Sequence, residues 1–203
     1  MQKYKFTGIT KEVYGRTLNQ IACVTAFASI KSGEIGGYIE KEANLSQDGD
    51  AWVYENAEVY GNAWVYENAK VCGEAKVYEN AWVCGNAKVY ENAEVYGNAK
   101  VCGNAKVYGN AKVCGEAILR RGFTEKVTDY IVIGPQGTRS SFATFHLHSN
   151  TVCTGCFVGN LNEFKKAVYK THNPDQGRVT FNNQYQRVIR VFEFLQEQDK
   201  DAQ

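Results

Sequence analysis

The chain of 203 residues has no apolar run long enough to span a membrane, which excludes a membrane-crossing helix. It carries no secretory leader pattern either, so a cytoplasmic protein is expected. It also lacks net charge, with 23 Lys and Arg against 22 Asp and Glu. The balance holds throughout: 6 basic and 6 acidic residues in 1–50, 8 and 8 in 51–122, 9 and 8 in 123–203. A nucleic-acid binder would show a basic patch and an acidic mimic the reverse, so neither class is expected. Histidine is scarce. No imidazole occurs before His146, so nothing earlier can serve as a histidine general base. Residues 51–122 contain no Ser and no Thr, which excludes ice binding through regular threonine rows.

The seven cysteines are an odd number in a chain without an export pattern, and they read as reduced thiols. Cys72, Cys84, Cys102 and Cys114 alternate with tyrosine at one place of a repeat, which makes them packing residues.

That repeat dominates what is present. From Ala51 to Gly122 the sequence advances in units of six, as in Ala51-Trp-Val-Tyr-Glu-Asn56. Ala opens all twelve units; Val holds the third place in eleven and Leu119 in the last. An even period suits a strand, where side chains alternate. Ala and Val then share the inward face, and the residue between them (Trp, Glu or Lys) faces out. Gly-Asn or Glu-Asn closes each unit as a corner, where Gly and Asn tolerate positive φ. A helix fails, because a step of six residues turns it by about 600° and the apolar stripe would wander. No unit can bury Ala and Val alone, so the units must coil and stack.

The pattern resembles the hexapeptide repeat of left-handed parallel β-helices, in which an aliphatic residue points inward and a small residue follows four places on. Val53 with Ala57 and Val59 with Ala63 fit it. With three hexapeptides per triangular coil, the resemblance implies about four coils. Residues eighteen apart would then form columns. One reads Glu58, Lys76, Glu94, Lys112, a ladder of alternating charge. Another reads Trp52, Lys70, Lys88, Lys106, and a third begins Trp64, Trp82. Tyr60, Tyr78 and Tyr96 stack, as does Cys84 over Cys102. The exposed Trp64 and Trp82 are the candidate interface for a homo-oligomer, a trimer or dimer.

Residues 1–50 read as an N-terminal β cap and lead-in coil, with strands over Tyr4–Thr7 and Thr17–Phe27 around a turn-rich Gly8–Gly15 segment. Ala43 and Leu45 already have hexapeptide spacing, two residues out of phase. An open solenoid end exposes strand edges and needs such a cover. The stretch from Ser32 to Tyr54 resembles the start of the repeats in uncharacterised bacterial and phage hexapeptide proteins, with Glu34 and Tyr38 replacing an acidic residue and a Trp.

Residues 123–203 form a different, C-terminal α+β domain: a three-stranded meander over Tyr130–Gly134, Phe142–His148 and Thr151–Phe157, covered by two helices. Asn160 with Glu163 makes a capping box for the first helix, and Tyr185, Val188, Ile189, Phe192 and Leu195 line the second, from about Asn183 to Gln196. The unit resembles a domain of phage and prophage proteins carrying the same repeats, through Ile133-Gly134-Pro135, Gly137-Thr138-Arg139, Gly155-Cys156-Phe157 and His172.

Two sites invite chemistry. Cys153-Thr-Gly-Cys156 with His146 and His148 suggests zinc, but residues three apart on a strand point oppositely, so Cys156 is placed on the core side and no metal site is expected. The loop Gly134–Ser141 is the better site. Gly137, Thr138, Arg139 and Ser140 offer donors for a phosphate or carboxylate, and His172 and Tyr185 could approach from the helices. No nucleophile, base and orienter assemble here, which argues for binding without catalysis and without a cofactor. The expected function is a non-enzymatic scaffold of phage or prophage type, in the host cytoplasm. Its partner would be a host protein or an anionic small molecule, with counter-defence by sequestering a nucleotide-like ligand as one form. The alternative, implied by the resemblance, is a hexapeptide-type acyltransferase using acyl-CoA.

Overall fold

The computed structural model describes residues 2–126, 129–136, 141–173 and 179–201. Its centre is a parallel β-solenoid of about five turns. Short strands fall on the second and third places of each hexapeptide and stack in three parallel sheets. On one face Tyr38-Ile39, Glu58-Val59, Lys76-Val77, Glu94-Val95 and Lys112-Val113 pair in register. On the second, Trp52-Val53, Lys70-Val71, Lys88-Val89 and Lys106-Val107 lead to Phe123-Thr124. On the third, Leu45 bridges to Val65, and Trp64-Val65, Trp82-Val83, Lys100-Val101 and Ile118-Leu119 follow. Every Ala and Val of the repeat is buried, at 0 or 1% exposure.

The count of about four coils is too low because degenerate units add a turn. Ile39 and Leu45 already occupy inward places before the repeat proper, and Thr124 occupies one after it. The phase shifts on both sides of the repeat. Leu45 and Val53 are separated by two residues too many, and Leu119 and Thr124 by one too few.

The corners correct a second expectation. In the first eleven units the residue at positive φ is the fifth, Gly or Glu, and not the Asn that follows, while the last unit turns at Gly122; Glu55, Glu67, Glu79 and Glu91 have φ of 54, 59, 59 and 61°. The Asn side chains instead run along the stack, Asn62 to Asn80 to Asn98 and Asn68 to Asn86 to Asn104, each amide donating to the next at 3.2–3.3 Å.

Strands β1 (Tyr4–Val13) and β2 (Arg16–Cys23) form a hairpin that joins the first face through β3 (Ile35–Ile39). The expected turn segment around Gly8 is part of β1, which passes a bulge between Phe6 and Thr10. This cap crosses the solenoid end closely. A Cβ on Gly37 would stand 2.7 Å from the Ala57 carbonyl oxygen. It also buries Trp52, expected to face outward, under edge contacts with Tyr4 and Phe27 at 6.3 and 5.5 Å. Lys3 Nζ donates to the Ala51 carbonyl at 3.0 Å, and burial pushes its ammonium down to about 8.

The C-terminal unit is a four-stranded antiparallel sheet, β4 (Tyr130–Gln136), β5 (Ser141–His146), β6 (Thr151–Thr154) and β7 (Phe157–Asn160), with α1 (Leu161–Thr171) and α2 (Val179–Asp201) on one face. The expected meander had three strands. Phe157–Asn160 is the fourth, turned back by Gly155-Cys156 and ending directly on the Asn160 cap. Asn160 accepts the Glu163 N–H at 2.9 Å, and Glu163 accepts the Asn160 N–H at 2.8 Å. Ala143, Phe145 and Val152 pack on Phe164, Val168, Ile189 and Phe192. The other face of the sheet closes the solenoid. Thr144 Oγ1 accepts the Ile118 N–H at 2.9 Å, the Tyr130 hydroxyl accepts the Cys114 N–H and donates to the Lys112 carbonyl, and His146 Nε2 lies 2.8 Å from Thr124 Oγ1. Backbone groups that would end the last coil as an open edge thus find partners.

Candidate functional site

Helix α1 ends at His172, whose N–H donates to the Val168 carbonyl at 2.8 Å. The His172 carbonyl in turn accepts from Asn182 Nδ2 of α2 at 3.0 Å, which fixes the two helices end to side. The His172 ring stacks on Tyr185 with centroids 5.0 Å apart and planes 25° from parallel. Tyr185 meets the edge of Phe164 at 5.9 Å, and Phe164 meets Phe157 at 5.4 Å. These four rings form a continuous wall from the β6–β7 turn to the C-terminus of α1.

The wall lines a groove of about 420 Å³. Its rim carries the polar atoms of Ser141, Thr154, Thr171 and the exposed thiol of Cys156. An aromatic floor with a hydroxyl rim suits a flat organic body whose edge makes hydrogen bonds.

Of the residues singled out in the sequence, His172 and Tyr185 come together in this groove. Gly137, Thr138, Arg139 and Ser140 lie outside the described residues; the next residue along the chain, Ser141, is on the rim. Phe157, Phe164 and Cys156 were missed as site residues. Their signal was Gly155, at φ 52°, which with Cys156 makes a tight turn and starts another strand. Cys156 is exposed, contrary to its expected place on the core side, because it sits in that turn and not on a strand. Cys153 is the buried one of the two, facing the solenoid end with Thr144, His146 and Thr151. Across the turn His146 pairs with Thr151 and Thr144 with Cys153, two residues off a register that would set His148 opposite Thr151. Among the described residues no three His, Cys, Asp or Glu side chains gather as metal ligands.

The other candidate surface lies on the third solenoid face. Trp64 and Trp82 are each 38% exposed and meet edge to face at 6.2 Å. Trp64 stacks on Tyr66 at 3.9 Å, and the Lys100 ammonium sits 4.6 Å from the Trp82 ring centre. The rings are therefore ordered against each other and still present apolar area to solvent.

No family model matches the chain, and no curated protein is similar to it.

Proposed function

We propose that the protein is a non-enzymatic binding scaffold whose C-terminal groove takes a small anionic ligand with a flat ring, a nucleotide in chemical class. The observation that carries this reading is the His172–Tyr185 stack, joined to Phe164 and Phe157, beside a hydroxyl rim that continues in sequence toward Arg139. A planar base stacks on such a wall, and a guanidinium is the side chain best suited to a phosphate. The counter-defence role implied by the phage resemblance fits a protein that sequesters a nucleotide-like signal, with the solenoid as a rigid support that self-associates through Trp64 and Trp82. The acyltransferase alternative has less support, since residues 51–122 contain no histidine and their short strands follow one another without an inserted substrate loop.

Calorimetry of the full chain against a panel of mono-, di- and cyclic nucleotides and acyl-CoAs tests the reading. Binding of one nucleotide class is expected, weakened more than about tenfold by Tyr185→Ala and by Arg139→Ala, with Arg139→Lys recovering part. Acyl-CoA-dependent turnover, or nucleotide binding indifferent to both variants, overturns it.

A further inference from the structure

The fourth residue of each hexapeptide projects outward beside a corner, and stacking places residues eighteen apart in one column. On the first face the column runs Tyr60, Tyr78, Tyr96, Cys114, and on the second Tyr54, Cys72, Tyr90, Tyr108. On the third it runs Tyr66, Cys84, Cys102, Arg120. In none of the other repeat columns do two thiols occupy neighbouring rungs. The backbone holds them there. The Cys84 N–H donates to the Val101 carbonyl at 2.9 Å and the Cys102 N–H to the Leu119 carbonyl at 2.7 Å. Strands so paired lie about 4.8 Å apart, which falls inside the range of about 4.4–6.8 Å between Cα atoms that a disulfide spans. The corner residues that follow the two cysteines are Gly85 and Gly103, which carry no side chain.

The same column supplies the electrostatics. Hydrogen bonding from Cys102 draws the Cys84 thiol down to about 7 against the opposing effect of burial, and Tyr66 and Arg120 act in the same direction as Cys102. Cys102 is pushed up, because its proton is held by the Cys84 sulfur and because it is buried. Cys84 is thus favoured as the member of the pair that loses its proton, with a hydroxyl donor on one side and a guanidinium beyond. A thiolate near positive charge is the form of cysteine that reacts with peroxide.

We propose that Cys84 and Cys102 are a peroxide-sensitive pair that closes to a disulfide between adjacent coils. The Cys84 thiolate attacks one oxygen of hydrogen peroxide, the O–O bond breaks, and hydroxide leaves to become water on protonation. Cys84 is then a sulfenic acid. The Cys102 sulfur attacks the Cys84 sulfur, the S–O bond breaks, and the departing hydroxide takes the Cys102 proton as a second water. Two thiols and one peroxide become one disulfide and two waters, with two electrons passing from sulfur to oxygen. Side chains in a parallel column point alike and not toward each other, so the bridge carries strain and a dithiol reduces it readily. The pair would then be reversible, a staple and not a permanent crosslink.

Peptide mapping of the full chain tests this. With the exposed thiol removed by Cys156→Ser, the protein is treated with a slight excess of hydrogen peroxide, alkylated and digested with trypsin. The expected product joins the Cys84 and Cys102 peptides, with two hydrogens lost, at about tenfold higher occupancy than oxidation of Cys72 or Cys114. Dithiothreitol restores both thiols. In Cys102→Ser, dimedone is expected to trap the sulfenic acid at Cys84. Unlinked Cys84 and Cys102 in a sample where Cys72 or Cys114 is already oxidised overturns the proposal, and this outcome requires no variant of the pair itself. Equal dimedone labelling of Cys84 and Cys72 in the Cys102→Ser protein overturns the assignment of Cys84 as the attacking thiol.

Discussion

A residue other than glycine held at positive φ costs about 1–2 kcal/mol, yet four glutamates of the repeat sit there. Their carboxylates explain it. Glu55, Glu67, Glu79 and Glu91 accept the N–H of Gly73, Gly85, Gly97 and Gly109, each one coil on, at 2.6–2.8 Å. A charge-assisted hydrogen bond to a corner amide offsets the backbone cost. Glu79→Ala keeps the strained φ and loses the bond, whereas Glu79→Gly loses the bond and relieves the strain. The expected order of stability is therefore wild type, then Gly, then Ala, with the Gly variant ahead of the Ala variant by about 1 kcal/mol. Urea midpoints check it, and an Ala variant at least as stable as the Gly variant contradicts the account. The alternation within each rung makes a second pair of expectations. Val89→Asp puts an unpaired carboxylate at a site of 0% exposure and is severely destabilising, by about 3 kcal/mol or more. Lys88→Ala, one residue away and exposed, changes stability by less than about 0.5 kcal/mol. Equal melting shifts for the two would reverse the inward and outward assignment.

A ladder turns single residues into an element. Tyr60, Tyr78 and Tyr96 stack at 5.1 and 5.0 Å with planes within 5° of parallel. Burial, with Glu58 next in effect, raises the Tyr60 phenol to about 12, and burial with the hydrogen bond to Glu94 pushes Tyr78 up as well. A phenol whose folded pKa lies above its unfolded value of 10.0 stabilises the fold fully below that pH, and the stability is lost as pH rises through the folded value. Lys3 acts the other way, because the folded chain binds fewer protons than the unfolded one between about 8 and 10.5, so its effect favours the fold as pH rises there. Denaturation midpoints are expected to fall between pH about 10 and 12, together with the appearance of tyrosinate absorbance. A midpoint that stays level across that interval argues against buried phenols. At the far end of the solenoid, Tyr130→Phe removes a hydroxyl that serves both Cys114 N–H and the Lys112 carbonyl, and a loss of about 1–2 kcal/mol is expected in the same assay. How legible these elements were depended on how local their causes are. The strict alternation of Ala and Val showed the rungs directly, and Asn160 with Glu163 showed the start of α1. Trp52 looked outward because its burial comes from Tyr4 and Phe27, distant in sequence. Leu45 was readable from its spacing to Ala43 although two extra residues precede Val53, whereas Ile39 has no repeat unit around it, and Phe157–Asn160 was obscured by its brevity beside a helix cap. Of the groove, His172 was readable as the end of α1 and Tyr185 as a residue of the second helix, which starts at Val179 and not near Asn183, but their stacking depends on how α1 and α2 cross, which no local pattern encodes.

At the scale of the whole molecule, both ends of the solenoid are covered, and the hairpin also reaches the first face, where Lys11 pairs with the buried Glu58 at 2.8 Å. The N-terminal hairpin covers Trp52, and Thr144, His146 and Tyr130 meet the last coil, so growth end to end by strand pairing is blocked. Any self-association would then use a lateral face. The third face presents Trp64 and Trp82, ordered by Tyr66 and Lys100 and each still 38% exposed. Rings already held in place lose little freedom on docking, which favours them over the exposed Val191 and Phe194 of α2. An oligomer, a dimer or trimer, is therefore expected by light scattering at tens of micromolar. Trp64→Lys with Trp82→Lys is expected to give a monomer whose β circular-dichroism signal is unchanged, since the two rings contribute nothing to the inward Val65 and Val83 and the new lysines remain in water. A wild-type protein that scatters as a monomer removes the lateral contact altogether. A double variant that remains an oligomer moves the contact to Val191 and Phe194, where Phe194→Lys becomes the deciding substitution.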